Sequence, residues 1–215
     1  MPSVDLFDRH KELMNFNCTP KYSLTPYDLL KQELHQAIDH AQSLGQRSRW
    51  MGDYSETVFR HEHRALGADL LSDEQLHKGI KPFILEELGG KRGDAYASLG
   101  PWHLTIDVKF HTLGVDQRFW LPDHEVAQYN ASLPYYATLA GTSKSRLVFY
   151  VIPVEDPIRA AYIPFATFLK TSTTQTRWCR GKEINGLSFP LEQLKPWHWT
   201  SQSLATLQLA LDLHT

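Results

Sequence analysis

Cysteine is nearly missing from this chain: Cys18 and Cys179 are the only two in 215 residues, and they lie far apart. They supply no metal-type pair, which fits a reducing compartment. No apolar run approaches the ~20 residues that a membrane span needs. The start, "MPSVDLFDRHKELMNFN", is charged and lacks the apolar centre of a signal peptide. A cytoplasmic protein with no membrane association is therefore expected. An excess of positive charge is missing as well, since the net charge is −2. The chain thus has no bulk attraction to nucleic acid, although an average can hide a local patch. Internal repeats, low-complexity segments and Gly/Ser-rich linkers are absent, so one domain over residues 1–215 is expected. There is no Walker-type or dinucleotide glycine pattern, no Gly-x-Ser-x-Gly elbow and no zinc ligand set.

What is present is an ordinary globular composition, 42% apolar and 12% aromatic, in an alternating order of elements. Thr25, Pro26 and Asp28 form a helix start, followed by an apolar stripe through Leu30, Leu34, Ala37, Ile38 and Ala41 that ends at Gly45. A second helix is predicted from Ser55, as cap, to about Leu66, with Val58 and Phe59 inward and Glu56 in its first turn. Residues 82–88, "PFILEEL", read as a strand ending at Gly89-Gly90. A helix from Pro122 to about Ser132 stops before Pro134, and residues 145–154 form an apolar run of the kind buried on both faces of a central sheet. "AAYIPFATFLK", "TRWCRG" and "GLSFPLEQL" read as further strands, the last two a hairpin turning at Asn185-Gly186. For the tail, Leu204 to Leu213, strand and helix readings both stay open. The expected fold is α/β: a mixed central sheet flanked by helices, with a core at about 55–154 and a C-terminal elaboration at about 155–215.

The most informative stretch is "GDAYASLGPWHLTIDVKF", residues 93–110. Trp102, Leu104, Ile106, Val108 and Phe110 alternate with His103, Thr105, Asp107 and Lys109. A two-residue type II′ turn at Gly100-Pro101 pairs Leu99 with Trp102 and, counting outwards, Asp94 with Asp107. Paired residues share a face, as do residues two apart, so geometry gathers Asp94, Asp107 and Lys109. The opposite face, Ala95, Ala97 and Leu99 against Ile106, Leu104 and Trp102, is apolar, and a one-residue slip would mix the faces. A four-residue loop is the alternative turn. Two opposed aspartates repel, and a hard cation relieves that cost. Mg²⁺ is commonly held by one or two carboxylates together with water and phosphate oxygens. A lysine two residues on could orient or help deprotonate an attacking water, or steady charge on phosphorus. The competing reading is an exposed Asp-Lys pair on a solvated sheet face.

Asp94, twelve intervening residues and then Asp107-Val108-Lys109 resemble the PD-(D/E)XK nuclease superfamily, which includes restriction endonucleases, Holliday junction resolvases and phage exonucleases. The resemblance covers roughly the middle half of the chain. It implies a restriction-endonuclease-like core of helix, three-stranded meander, helix and fourth strand. By the same resemblance Asp94 and Asp107 are metal ligands, Lys109 is the catalytic lysine, and Glu56 looks like the glutamate many members carry on the preceding helix. Gly93 stands where the motif has proline. The resemblance thus implies a Mg²⁺-dependent DNA endonuclease, with Mn²⁺ as a substitute, restriction-type because of the added C-terminal segment, and a homodimer. The alternatives are a Holliday junction resolvase, a phage-type exonuclease, or a non-catalytic nucleic-acid-binding protein that retains the fold.

Other features are weighed against that expectation. Between Pro157 and Lys182 lie Arg159, Lys170, Arg177, Arg180 and Lys182 and no acidic residue. The segment reads either as a solvated, charge-protected edge or as a DNA-contacting surface, for which Lys170, Arg177, Arg180 and Lys182 are the candidates. His61 and His63 are two apart, which on a helix means different faces. His103 shares the Asp107 face four residues away, and Glu86 and Glu87 read as a charged strand end.

Overall fold

The computed structural model describes residues 44–65, 70–71, 87–111, 116–141, 144–153, 161–179 and 181–190, with isolated positions between 32 and 41. The chain divides into two compact units, Met1–His61 and Glu62–Thr215. The first carries most of α1 (Leu44–Ala65), on which Tyr54, Ser55, Thr57 and Phe59 are buried. This helix begins well before the expected cap. Gly45 sits inside its first turn rather than ending a preceding helix, and Ser55 is mid-helix, its hydroxyl donating to the Gly52 carbonyl at 2.8 Å. Here the hydroxyl donates back to a carbonyl and does not accept from an amide ahead, as a cap would, so Ser55 caps no helix start.

In the second unit the described strands form two sheets. β1 (Leu70–Leu71), β2 (Ala95–Leu99), β3 (Trp102–His111), β5 (Ser145–Pro153) and β6 (Ala161–Pro164) make a five-stranded sheet in the order β1-β2-β3-β5-β6. β4 (Arg118–Pro122), β7 (Thr173–Cys179) and β8 (Lys182–Pro190) make a three-stranded sheet in the order β4-β8-β7. Two helices, α2 (Asp123–Leu139) and α3 (Phe165–Thr171), complete the unit. β3 and β5 run parallel and the other pairs antiparallel, so the sheet is mixed and the chain is α/β, as expected.

The hairpin has the register the alternation dictates: Leu99 pairs with Trp102 and Ala95 with Ile106. Gly100 sits at φ +55°, and Pro101, whose ring fixes φ near −65°, cannot take the second positive φ of a type I′ turn. Type II′ is what remains. Trp102, Leu104, Ile106 and Val108 are all buried on one face of β3, beside Val148, Tyr150 and Ile152 of β5. On the other face Phe149 and Val151 join Tyr129 of α2, Phe165 and Phe168 of α3, and Phe119 and Phe189 of the second sheet in one aromatic-rich core. Phe149 meets Phe119, Tyr129, Phe165 and Phe168 with ring centroids 5.0–5.7 Å apart.

Several expected elements differ. Glu87 is helical and Leu88 lies in a turn, so the strand predicted at 82–88 is absent there, its other residues lying outside the described set; the strand beside β2 is Leu70–Leu71. α2 continues through Pro134 to Leu139, because Tyr136 is buried against Tyr96 and tertiary packing outweighs the missing amide. "PFATFLK" is largely the helix α3, which buries Phe165 and Phe168 on its inner side. The β7–β8 hairpin turns just after Cys179, which pairs with Lys182, and Gly181 has φ +80°. Asn185-Gly186 lies inside β8. A Cβ at Gly186 would stand 2.2 Å from the Leu121 carbonyl oxygen and 2.7 Å from the Trp120 ring. That glycine therefore answers a close strand approach and not a turn. The Leu204–Leu213 tail lies outside the described residues.

Candidate active site

The polar face of β3 is covered, not solvated. Asp107 is 2% exposed, and in the parallel ladder it stands beside Phe149, so its carboxylate points into the interior beneath α2. An isolated carboxylate there is untenable, and two side chains hold it. The Lys109 ammonium lies 2.8 Å from Oδ1, and the Tyr129 hydroxyl donates to Oδ2 at 2.6 Å. The exposed Asp-Lys pair considered from sequence is excluded by this burial.

Asp94 lies just outside the β2–β3 ladder, which ends at Ala95–Ile106, so the expected Asp94–Asp107 pair is not formed. Its amide instead donates to the Ile106 carbonyl at 2.8 Å, putting Asp94 and Ala95 both opposite Ile106. Its Oδ2 accepts from the Val108 amide at 2.7 Å, which fixes the carboxylate over the strand between Asp107 and Lys109. Gly93 before it has a steric reason: a Cβ would lie 2.6 Å from the Thr105 methyl and 3.1 Å from the Ile106 oxygen. Proline would bring that Cβ and would also lose the Gly93 amide, which donates to the Tyr136 hydroxyl at 3.2 Å. The Tyr96 hydroxyl meets the Gly93 carbonyl at 3.3 Å and the Tyr136 hydroxyl at 2.9 Å. Two tyrosines thus hold the backbone from which Asp94 departs.

Four contributors were not anticipated from sequence: Lys91, Glu125, Tyr129 and Ser132. Glu125 Oε2 receives Lys91 at 2.7 Å and Lys109 at 3.4 Å. The Ser132 hydroxyl accepts from the Lys91 amide at 2.8 Å. Both ammonium groups lie over the Tyr129 ring, at 5.0 and 5.5 Å from its centroid. The signal was available, because Glu125, Tyr129, Ser132 and Tyr136 are spaced four, three and four apart and so line one helix face.

The charges set the protonation of the cluster. Burial alone would lower the Lys109 pKa, but Asp107, Tyr129 and Glu125 outweigh it and raise it well above the usual lysine value. Burial would raise Glu125, but Lys109 and Lys91 hold it down to about 2. Burial and then the Asp107 charge push the Tyr129 phenol far up, so it remains a hydrogen-bond donor. His111, on the same strand face, falls from 6.5 to about 4 through burial and the nearby charges of Arg177 and Lys109. It is a neutral imidazole, edge-on to Phe119 at 5.3 Å, and its Nε2 is buried without a hydrogen bond among the described residues.

The donor chemistry suits a hard divalent ion in kind: the Asp94 carboxylate is held on the Val108 amide, the residue after Asp107, and among the described residues Asp107 Oδ1 accepts no hydrogen bond beyond its contact with Lys109. Among the described residues no three His, Cys, Asp or Glu side chains form a metal-binding group. Glu56 belongs to the first unit, on α1, where it lies 3.9 Å from Arg60. Of the basic candidates, Lys170 and Lys182 are exposed, Arg177 lies 3.1 Å from Asp116, and Arg180 is outside the described residues. His103 is exposed, as is Glu87, while the His61 and His63 side chains and Glu86 lie outside the description. No helix among the described residues is long and apolar enough to cross a membrane.

No protein-family model matches the sequence, and no curated protein does. Among solved structures, the chain is similar to Hjc, a Holliday junction resolvase from the archaeal hyperthermophile Archaeoglobus fulgidus. There the identity is 15% and the TM-score 0.32, over 62% of this chain and 81% of the resolvase. It is also similar to D212, a nuclease from a fusselovirus, at 11% identity and TM-score 0.38, over 79% of this chain and 97% of the viral protein. Overlaps this partial carry no argument about activity, which has to come from the site.

Proposed function

We propose that this chain is a metal-dependent deoxyribonuclease of the PD-(D/E)XK type that hydrolyses phosphodiester bonds, acting as a restriction-type endonuclease. The supporting observation is the buried Asp107–Lys109 pair beside an Asp94 carboxylate clamped to the Val108 amide. In this reading Asp94 and Asp107 hold Mg²⁺ or Mn²⁺. The bound ion supplies charge neutralisation at the phosphate and a more acidic water. Water oxygen forms the new bond to phosphorus as the bond to the leaving sugar oxygen breaks. Lys109, an ammonium between two carboxylates, steadies the negative charge developing on the phosphoryl oxygens. Tyr129 fixes the Asp107 carboxylate so that its Oδ1 edge faces Lys109.

Lys170, Arg177, Arg180 and Lys182 contact DNA in this reading, the protein is a cytoplasmic homodimer, and two-fold DNA sites favour that symmetry. A resolvase, a phage-type exonuclease and a non-catalytic binding protein are the outcomes to separate. Supercoiled plasmid, linear duplex and a four-way junction are each incubated with wild type, Asp107→Ala and Lys109→Ala in Mg²⁺ or Mn²⁺. Metal-dependent cleavage lost in both variants is the expected result, and nicking or linearising the plasmid marks an endonuclease. Cleavage that survives both substitutions refutes the assignment of the site. Binding without cleavage of any form favours the non-catalytic alternative.

A further inference from the structure

The second sheet turns one face, carrying Phe119, Leu121, Leu187 and Phe189, into the core. Strand alternation puts Arg118, Trp120, Ser188, Thr173, Gln175 and Arg177 on the other face. The two arginines on that face are in opposite electrical states. Arg177 lies 3.1 Å from the Asp116 carboxylate and also donates to Gln175 Oε1 at 3.1 Å. Arg118 is held as firmly, but only by neutral oxygens. Its Nε donates to Ser188 Oγ at 2.7 Å, and its Nη2 donates to the Ser188 carbonyl and to Thr173 Oγ1, both at 2.9 Å. Among the described residues its guanidinium has no carboxylate partner and its Nη1 makes no hydrogen bond, while the Asp116 carboxylate that pairs with Arg177 accepts from the Arg118 backbone amide.

An arginine carries its charge at every accessible pH, and its planar fork suits the paired oxygens of a phosphate. Fixing a flexible side chain costs conformational entropy, here offset by three bonds that leave the charge itself uncompensated. Thr173 is exposed, and because its hydroxyl oxygen accepts from Arg118, its proton is left to donate outward. A guanidinium nitrogen and a hydroxyl are therefore presented side by side. The geometry points to Arg118, with Thr173, as a preset contact for a backbone phosphate of the nucleic-acid substrate, away from the bond being cut; this rests on the nuclease reading above. Phosphate contacts of this kind fix register on the duplex and carry no sequence preference.

The role is tested by binding, measured in EDTA so that no cleavage intervenes, of a labelled mixed-sequence duplex over a range of NaCl concentrations. Each phosphate neutralised adds about 0.9 to the slope of log affinity against log salt on duplex DNA. Arg118→Gln is expected to weaken binding equally across sequences and to lower that slope by about one, while Arg118→Lys keeps most of it. A role confined to tying β4 to β8 would leave the slope where it was. An unchanged slope in a folded Arg118→Gln protein overturns the Arg118 assignment alone. Failure of the wild type to bind duplex, single strand or four-way junction overturns this inference together with the nuclease reading. Should Arg118→Gln not fold, phenylglyoxal labelling of the wild type decides the matter. Labelling of Arg118 reduced by DNA supports the contact, and equal labelling with and without DNA overturns it.

Discussion

The β3–α2 cluster and the turn end of the β7–β8 hairpin both hold charges, and they hold them in contrasting ways. Around Asp107, two cations and two anions are packed beneath a helix, each with a partner of opposite sign. Desolvation there is severe, and removing one member strands another. Near the turn of the β7–β8 hairpin the side chains lie in or near water: Trp178 is 71% exposed, and Lys182, Glu183 and Thr176 are exposed. Screening and hydration make charges there nearly independent. The lesson is that a buried charge cluster specifies its own geometry, whereas an exposed one advertises charge and leaves geometry to a partner.

The largest expected effect comes from Asp107→Ala, which leaves the mostly buried Lys109 ammonium with Glu125 alone. Unfolding by denaturant should show a loss of about 3 kcal/mol or more. In the Asp107→Ala/Lys109→Met double variant the loss should fall well short of the sum of the single losses, because one interaction is being removed twice. Additive losses would break the contrast between the two regions. Next is Tyr129→Phe, which deletes one hydroxyl donating to a charged acceptor, with an expected cost of about 2 kcal/mol in the same measurement.

The pH dependence is spread over several pH units, is slight near neutrality and has a definite sign. The His111 pKa is depressed from 6.5 to about 4, so between those values the unfolded chain takes a proton that the native state refuses. Stability is complete above the upper value and declines as the pH falls toward the lower, by at most about 1.4 kcal/mol per pH unit. The groups bearing on His111 are Arg177, Lys109, Glu125 and Asp116. Glu125, depressed from 4.5 to about 2, adds a second decline below its ordinary value. Melting temperatures across this range should show His111→Phe removing the upper part and Glu125→Gln the lower; a profile unchanged in both variants contradicts the burial argument. The smallest effect belongs to the exposed hairpin end: Trp178→Ala should change stability by no more than about 0.5 kcal/mol. A larger loss would mean that this tryptophan packs.

The same contrast explains what was legible in the sequence. The hairpin was readable because the alternation and a Gly-Pro turn favour one register, which placed Asp107 and Lys109 on one face. The pairing of Asp94 with Asp107 was not formed, because the ladder ends at Ala95–Ile106 and Asp94 reaches the site through the Val108 amide instead. Glu125 and Tyr129 share a helix face that spacing alone could show, but nothing local ties that face to β3, and nothing local ties Lys91, in the segment before β2, to Glu125. The β7–β8 turn was misplaced because Asn-Gly is a strong hairpin signal, and nothing local shows that Trp120 presses on Gly186. The Arg177 of the basic segment was legible as charge, but its pairing with Asp116 was not, because that contact joins residues from different strands and a turn.

The parallel pairing of β3 with β5 has a consequence in time. β2 and β3 are joined by two residues, so Asp94, Asp107 and Lys109 come together through contacts local in the chain. Tyr129 and Glu125 belong to the crossover between β3 and β5, and they reach the cluster only when that longer loop closes. Loop closure makes such non-local pairings late in folding. A chain emerging from the ribosome therefore displays its acidic pair before it owns the helix that fixes it. The cluster is complete only once α2 has docked, because Tyr129 and Glu125 come from that helix.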